Sequence, residues 1–284
     1  MTEPVRLDAA AGPDAALLAP FDEQAALDVA AGRRRLFAVR TTPDGTDVGS
    51  AVLGQGALDL AVHRELRARG FGAAAAELLL EEVGSGPLTA WSHEDHPAAR
   101  ALAARFGFEL VRTLLHLRLS ALDGFETRPA AAPQPSGSVA RLEGFRPGRD
   151  DAEWLALNAR VFAWHPEQGG TTADDLAERM REPWFRAEDF LVTRDDAGAM
   201  TGYCWLKIDP AAPDDGEIYV IGVAPEASGQ GLGRALMHAG LARLAERGCT
   251  SASLYVEGDN APAVRLYRSL GFVDAAVHVQ YRRG

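Results

Sequence analysis

The sequence predicts an α/β fold, a mixed sheet of the α+β kind, built twice in tandem. Three observations carry this expectation. Strand-like and helix-like runs alternate along all 284 residues. Two glycine loops, RARGFG at 67–72 and SGQGLG at 228–233, each follow a strand-like run and open a helix-like one. A Gly-Phe pair closes each half, Gly107-Phe108 and Gly271-Phe272. Gly72 and Gly233 lie 161 positions apart and the Gly-Phe pairs 164, so the halves match with a net insertion of three. The shared order of elements reads as duplication of one α/β unit.

In the first half a helical stretch near 14–31 precedes strands at 36–40 and 48–53, which flank the turn Pro43-Asp44-Gly45. The run 57–62 predicts the strand before the loop, and 73–83 the helix after it. A short strand at 88–91, a helix at 97–105 and a strand at 114–119 complete the half. The second half repeats the order. A helix near 150–162 comes first, then strands at 190–193 and 201–208 around the turn 195–198. A strand at 218–223, the loop, a helix at 234–247, a strand at 252–256, a helix at 261–269 and a strand at 277–281 follow. Between the halves, PAAAPQPSGS has no periodicity and reads as a linker. The predicted domains are 1–128 and 140–284, joined by 129–139.

The net charge is −11, and Arg33-Arg34-Arg35 is the one basic cluster. An apolar run follows it, so it reads as the solvated start of a strand, and no nucleic-acid partner is expected. Cys204 and Cys249 are the only cysteines. Their spacing excludes a disulfide framework and a cysteine zinc site, no metal is expected, and free thiols fit a reducing cytoplasm. Acids and prolines interrupt the first twenty residues where a secretory leader needs an apolar core. Glu77, Glu81 and Glu82 break the most apolar helical run, so no membrane partner is expected. These observations predict a soluble, cytoplasmic protein, and a monomer is the expectation.

The loop SGQGLG can do specific chemistry. Gly229, Gly231 and Gly233 let backbone N–H groups approach a ligand, and the helix start adds its positive dipole end. Together they suit a pyrophosphate. The loop lacks the Gly-Lys-Ser/Thr ending of a nucleotide phosphate loop and the GxGxxG spacing of a dinucleotide site. On the loop alone, a tight turn stays open beside the phosphate site.

Val223-Ala224-Pro225 precedes this loop, and Asn260-Ala261-Pro262-Ala263-Val264-Arg265-Leu266-Tyr267 with Gly271-Phe272 follows it. This pattern resembles the GNAT acetyltransferase family. The resemblance implies two tandem GNAT domains that use acetyl-CoA as co-substrate. It implies contacts from Ile221, Gly222 and Val223 along the strand and from Ser228, Gly229, Gln230, Gly231, Leu232, Gly233 and Arg234 at the loop. Asn260, Ala261, Pro262, Ala263, Val264 and Arg265 would complete the site. Ser228 departs from the family's usual Arg or Gln. The same resemblance assigns Leu60, Ala61, Val62, Ala68, Arg69, Gly70, Phe71, Gly72 and Ala73 to a second cradle in the first half.

Moving an acetyl group from a thioester to an amine needs a base for the amine, a donor for the oxyanion and a proton for the thiolate. The resemblance implies Glu217 as the base and Tyr267 as the acid. A tyrosine near ~10 can protonate a thiolate near ~8.5 only if held beside it. The first half has Gly56, Ala103 and His96 at the positions expected to match Glu217, Tyr267 and Asn260. It is therefore predicted to be catalytically degenerate.

FAWHPEQGG at 162–170, EPWF at 182–185, GEIYVIGV at 216–223 and LYVEGDN at 254–260 resemble a narrower group of tandem GNAT enzymes. These acetylate the cysteinyl amine of 1D-myo-inositol 2-(L-cysteinylamino)-2-deoxy-alpha-D-glucopyranoside, a small thiol pseudodisaccharide. The resemblance implies acceptor contacts from Glu23, Glu167, Lys207, Glu217 and Tyr255. Strand alternation puts Tyr203, Trp205 and Lys207 on one face, and His165 reads as structural. Transfer to another small amine or a protein N-terminus, and acetyl-CoA binding without turnover, are the alternatives.

Overall fold

The computed structural model describes residues 4–84, 86–125, 131–133, 139–165 and 168–284. The chain forms two compact units, residues 1–114 with 276–284, and residues 115–275. Each sequence half therefore gives up the end of its last strand. β6 (Glu109–Leu119) starts in the first unit and finishes in the second, and β13 (Val273–Arg283) does the reverse. This corrects the expected division into 1–128 and 140–284. Both closing strands follow a Gly-Phe pair, and nothing in their patterns says which sheet each joins. The expected linker lies largely outside the described residues. Within it, β7 (Ala131–Pro133) pairs with β8 (Val139–Gly144).

The N-terminal unit holds β1 (Val5–Ala9), α1 (Ala15–Leu18), α2 (Glu23–Ala30), β2 (Arg35–Thr41), β3 (Asp47–Gly54), β4 (Ala57–Val62), α3 (Phe71–Val83), β5 (Leu88–Ser92) and α4 (Pro97–Arg105). Its strands run in the order β1-β2-β3-β4-β5-β13. β4 and β5 are parallel, and the other described pairs are antiparallel. The helix expected near 14–31 is two helices, because Asp14 caps the first and Asp22 the second.

The C-terminal unit holds α5 (Asp151–Val161), α6 (Ala173–Arg179), β9 (Phe190–Arg194), β10 (Met200–Ile208), β11 (Asp215–Val223), α7 (Leu232–Glu246), β12 (Ser251–Glu257) and α8 (Ala261–Ser269). Its order is β6-β12-β11-β10-β9-β8-β7. β10 alternates cleanly. Tyr203 and Trp205 meet Trp154 of α5 on one face, and Cys204 faces α7 on the other. Trp205 also stacks on Phe190 at 4.5 Å. No described helix is long and apolar enough to cross a membrane.

β6 is held in this unit mainly by apolar burial. Leu117 is fully buried in the core, worth about 1.5–3 kcal/mol. Arg118 also reaches Asp215 at 2.7 Å, but both side chains are over a third exposed, so this pair adds only about 0–1 kcal/mol.

The two parallel pairs are short. β11 and β12 pair from Asp215 opposite Ser251 to Ile218 opposite Leu254, where the pairing ends. At that level β11 also slips against β10. Trp205 faces Val220 and Leu206 faces Ile218, which leaves Tyr219 as an extra residue in a β-bulge. β4 and β5 pair only at Ala57/Thr89 and Leu58/Ala90, yet the β3–β4 ladder runs unbroken. Both units splay their parallel strands, and the C-terminal one alone has the bulge beside the splay.

A fragment spanning 140–284 lacks the part of β6 that the second unit uses. It is expected to show no cooperative thermal transition by circular dichroism. A cooperative melt with full activity would contradict the strand exchange.

Candidate active site

The bulge reverses the facing of β11. Before it, Gly216 and Ile218 face α7; after it, Val223 does. Glu217 and Tyr219 both lie on the opposite face. Glu217 sits opposite Lys207 on β10 and Ser253 on β12. The Tyr219 ring packs 5.0 Å from Trp184 and 5.4 Å from Trp205, and its hydroxyl accepts from Arg179 Nε at 2.8 Å. The Lys207 ammonium lies 5.2 Å from the Trp184 ring and 5.5 Å from Tyr219, within cation–π range. The predicted face of Tyr203, Trp205 and Lys207 is as the alternation requires.

On β12 the same face continues through Ser253, Tyr255 and Glu257. Tyr255 is 47% exposed, with its ring stacked at 4.6 Å on His116 of β6. Burial, and then the nearby Arg118, lower the His116 pKa, so this ring stacks as the neutral form near neutral pH. His165 Nε2 lies 3.3 Å from Glu257 Oε1, and its Nδ1 accepts from the Gln168 N–H at 3.0 Å. The second bond fixes the proton on Nε2, which donates to Glu257. The structural reading of His165 gains this specific partner. Glu167 lies outside the described residues. Glu23 sits in the first turn of α2, in the N-terminal unit.

The loop after β11 is built from turns. The Ala224 N–H donates to Thr201 O at 2.8 Å, a short 3-10 turn spans Pro225–Ala227, and Ser228 Oγ donates to Ala224 O at 3.3 Å. Ser228 thus braces the loop rather than replacing the family's long side chain. Gly229 and Gly231 adopt φ of 78° and 87°, a region that favours glycine. Gly231 caps α7, which begins at Leu232, two residues earlier than expected. Arg234 donates to Ser269 Oγ at 2.8 Å and ties α7 to α8. Asn260 caps α8 by accepting from the Ala263 N–H at 3.3 Å.

Tyr267 on α8 is buried. Burial, reinforced by the Cys204 thiol, raises its pKa, so the phenol keeps its proton at neutral pH. Burial pushes the Cys204 thiol up to about 12, which leaves it neutral. The splay, the loop and this phenol form one side of the sheet gap, and the Glu217 face forms the other. That arrangement fits a long ligand ending in a pyrophosphate, with an acceptor opposite.

The N-terminal unit repeats the loop geometry. Ala68 and Gly70 repeat the loop geometry with φ of 61° and 90°, and α3 starts at Phe71. Arg67 Nε donates to Val62 O at 3.1 Å. A cavity of about 730 Å³ runs from this loop past Val62 and Trp91 to Asp59 and His93. Burial raises the Asp59 pKa, although Arg34 lies 2.7 Å away and offsets part of the shift. His93 Nδ1 lies 3.2 Å from His278 Nδ1.

The strand pairing corrects one equivalence. Ser253 lies 164 positions after Thr89, and their partners are Glu217 and Ala57. Glu217 therefore matches Ala57, not Gly56, because the extra residue at Tyr219 shifts the count by one. Ala103 matches Tyr267, and each is 7% exposed. His96 keeps the cap of Asn260, its Nδ1 accepting from the Ala98 N–H at 3.1 Å. Arg179, His116 and Glu257 were not singled out from sequence; each reaches the site through contacts that no local motif announces.

The profile of the Acetyltransferase (GNAT) family matches residues 156–272. The mycothiol acetyltransferase of Clavibacter michiganensis subsp. michiganensis is 44% identical over 271 residues, covering 94% of this chain and 86% of that protein. The mycothiol acetyltransferase of Sanguibacter keddieii is 48% identical over 237 residues, covering 81% and 75%. Among solved structures, a GCN5-related N-acetyltransferase from Sphaerobacter thermophilus matches with a TM-score of 0.71 at 20% identity, covering 98% of this chain and 95% of that one. A tandem GNAT protein from the clavulanic acid biosynthesis pathway matches with a TM-score of 0.66 at 22% identity, covering 88% and 82%. These two likenesses show the fold.

The loop glycines separate fold from ligand. A Cβ at Gly233 meets Leu266 and Val223 only at 3.7 Å, an ordinary contact. Gly233→Ala should keep or raise Tm, since alanine favours a helix by about 0.5–1 kcal/mol. If acetyl-CoA seats here, that variant raises its KM. Gly231→Ala should instead lower stability by about 1–2 kcal/mol, measured by urea titration. Unchanged acetyl-CoA KM in Gly233→Ala would remove this loop from the binding site.

Proposed function

The chain belongs to the mycothiol acetyltransferase family, and on that premise we propose that it transfers the acetyl group of acetyl-CoA to the cysteinyl amine of 1D-myo-inositol 2-(L-cysteinylamino)-2-deoxy-alpha-D-glucopyranoside, giving mycothiol. The carrying observation is the identity to enzymes of that name along most of the chain, with the acceptor-face motifs inside the matched region.

When bound, acetyl-CoA supplies an activated thioester. Backbone groups of β11 beyond Ile218 would hydrogen-bond its pantetheine arm as an added strand would. The loop Ser228–Arg234 and the start of α8, Asn260–Arg265, would hold the phosphates and the adjoining arm. Glu217 takes the proton from the acceptor ammonium, directly or through one water. Tyr267 holds the proton that the departing sulfur needs. Lys207, Tyr255 and Glu217 orient the acceptor's hydroxyls and amine, with Glu167 and Glu23 as further contacts. The N-terminal unit holds CoA in its cleft without turning it over, because Ala57 and Ala103 carry no proton-transfer group.

Release of the CoA thiol with the cysteinyl pseudodisaccharide tests this reading. Turnover only with other amines would sink it. Glu217→Gln should lower kcat by about 10²–10⁴-fold. The loss should be larger below the amine's pKa of about 7.7–8.0 than above it, where the amine is already deprotonated. Tyr267→Phe should lower kcat with acetyl-CoA KM little changed. Near-wild-type kcat across pH in either variant would remove that residue from its role.

A further inference from the structure

Two large aromatic side chains of the C-terminal unit stand exposed. Tyr255 is 47% exposed, and Trp164 is 56% exposed. Single exposed aromatics are ordinary, but this pair is braced. Tyr255 is backed by the stacked ring of His116. Trp164 lies edge-on to His165, with ring centroids 5.5 Å apart, and 6.4 Å from Phe162. His165 in turn donates to Glu257, two residues beyond Tyr255 on β12.

The segment carrying the indole is also anchored from below. Gln168 donates its N–H to His165 Nδ1, and its carbonyl accepts from Asn158 Nδ2 at 2.6 Å and Thr171 Oγ1 at 2.9 Å. Asn158 is itself held by the buried Tyr203 hydroxyl at 2.8 Å. A chain of hydrogen bonds therefore runs from the sheet core to the residue beside Trp164. Displaying an indole to solvent on an anchored segment has no folding benefit. It suits a ligand with a flat, weakly polar C–H face, as a saturated sugar or cyclitol ring presents.

We infer that Trp164 is a stacking platform for a saturated ring of the acceptor, held in place by the His165–Glu257 hydrogen bond. This rests on the proposed pseudodisaccharide acceptor and names the residue that reads its ring. Trp164 touches the acceptor, while His165 and Glu257 are positioning residues.

The test compares two acceptors on the full chain, the cysteinyl pseudodisaccharide and L-cysteinamide, which has the amine and thiol without rings. Trp164→Ala should raise the KM for the pseudodisaccharide about tenfold. It should leave the acetyl-CoA KM and the kcat/KM for cysteinamide within about twofold, so the preference between acceptors collapses. His165→Gln keeps a donor that can reach Glu257 and should retain the preference. His165→Asn keeps only the acceptor for the Gln168 N–H and should lose it. Equal losses on both acceptors in Trp164→Ala, or equal effects of His165→Gln and His165→Asn, would overturn the inference. A wild-type chain without any preference for the pseudodisaccharide would instead remove the functional reading, and the platform with it.

Discussion

The extra residue at Tyr219 governs the geometry of the C-terminal unit. A β-bulge bends its strand and disrupts the ladder locally. Here it falls at the level where β11 stops pairing with β12, just after Ile218 and Leu254. One irregularity thus has two consequences. It accompanies the splay, and it puts Val220 on the same face as Glu217 and Tyr219, so that Val223 comes to face α7 where strict alternation would turn it away. The aromatic packing of Tyr219 against Trp184 and Trp205 fixes the irregularity in place.

The duplicated unit shows what the bulge adds. The N-terminal unit keeps the splay, the left-handed loop residues and a capped helix after β5. It has the unbroken β3–β4 ladder instead, and alanine at both positions that match Glu217 and Tyr267. Of the exchanged strands, β6 brings Leu117 to the second core and His116 to the ring of Tyr255.

Much of this was legible in sequence because the governing interactions are local. The loop SGQGLG between a strand and a helix and the alternation of β10 each follow from short-range chemistry, and each stands where its pattern placed it. The strand exchange was not legible. Two closing strands of equal length and similar pattern carry no mark of which sheet they complete. The bulge was equally hidden, because one extra residue in an apolar run has no local signature, and it moved the match of Glu217 from Gly56 to Ala57. Arg179 on Tyr219 and His165 on Glu257 join residues that are 40 or more positions apart, beyond the reach of any spacing rule.

On the proposed function, the gap opened beside Tyr219 holds acetyl-CoA with its sulfur toward Tyr267. The most direct measurement is a crystal structure of the full chain with acetyl-CoA. Pantetheine is expected to hydrogen-bond to the β11 backbone beyond Ile218, with the pyrophosphate on the N–H groups of 229–234 and the Tyr267 hydroxyl within about 3.5 Å of the sulfur. Acetyl-CoA found only in the N-terminal cleft, or lying in the second gap with its sulfur away from Tyr267, would contradict it.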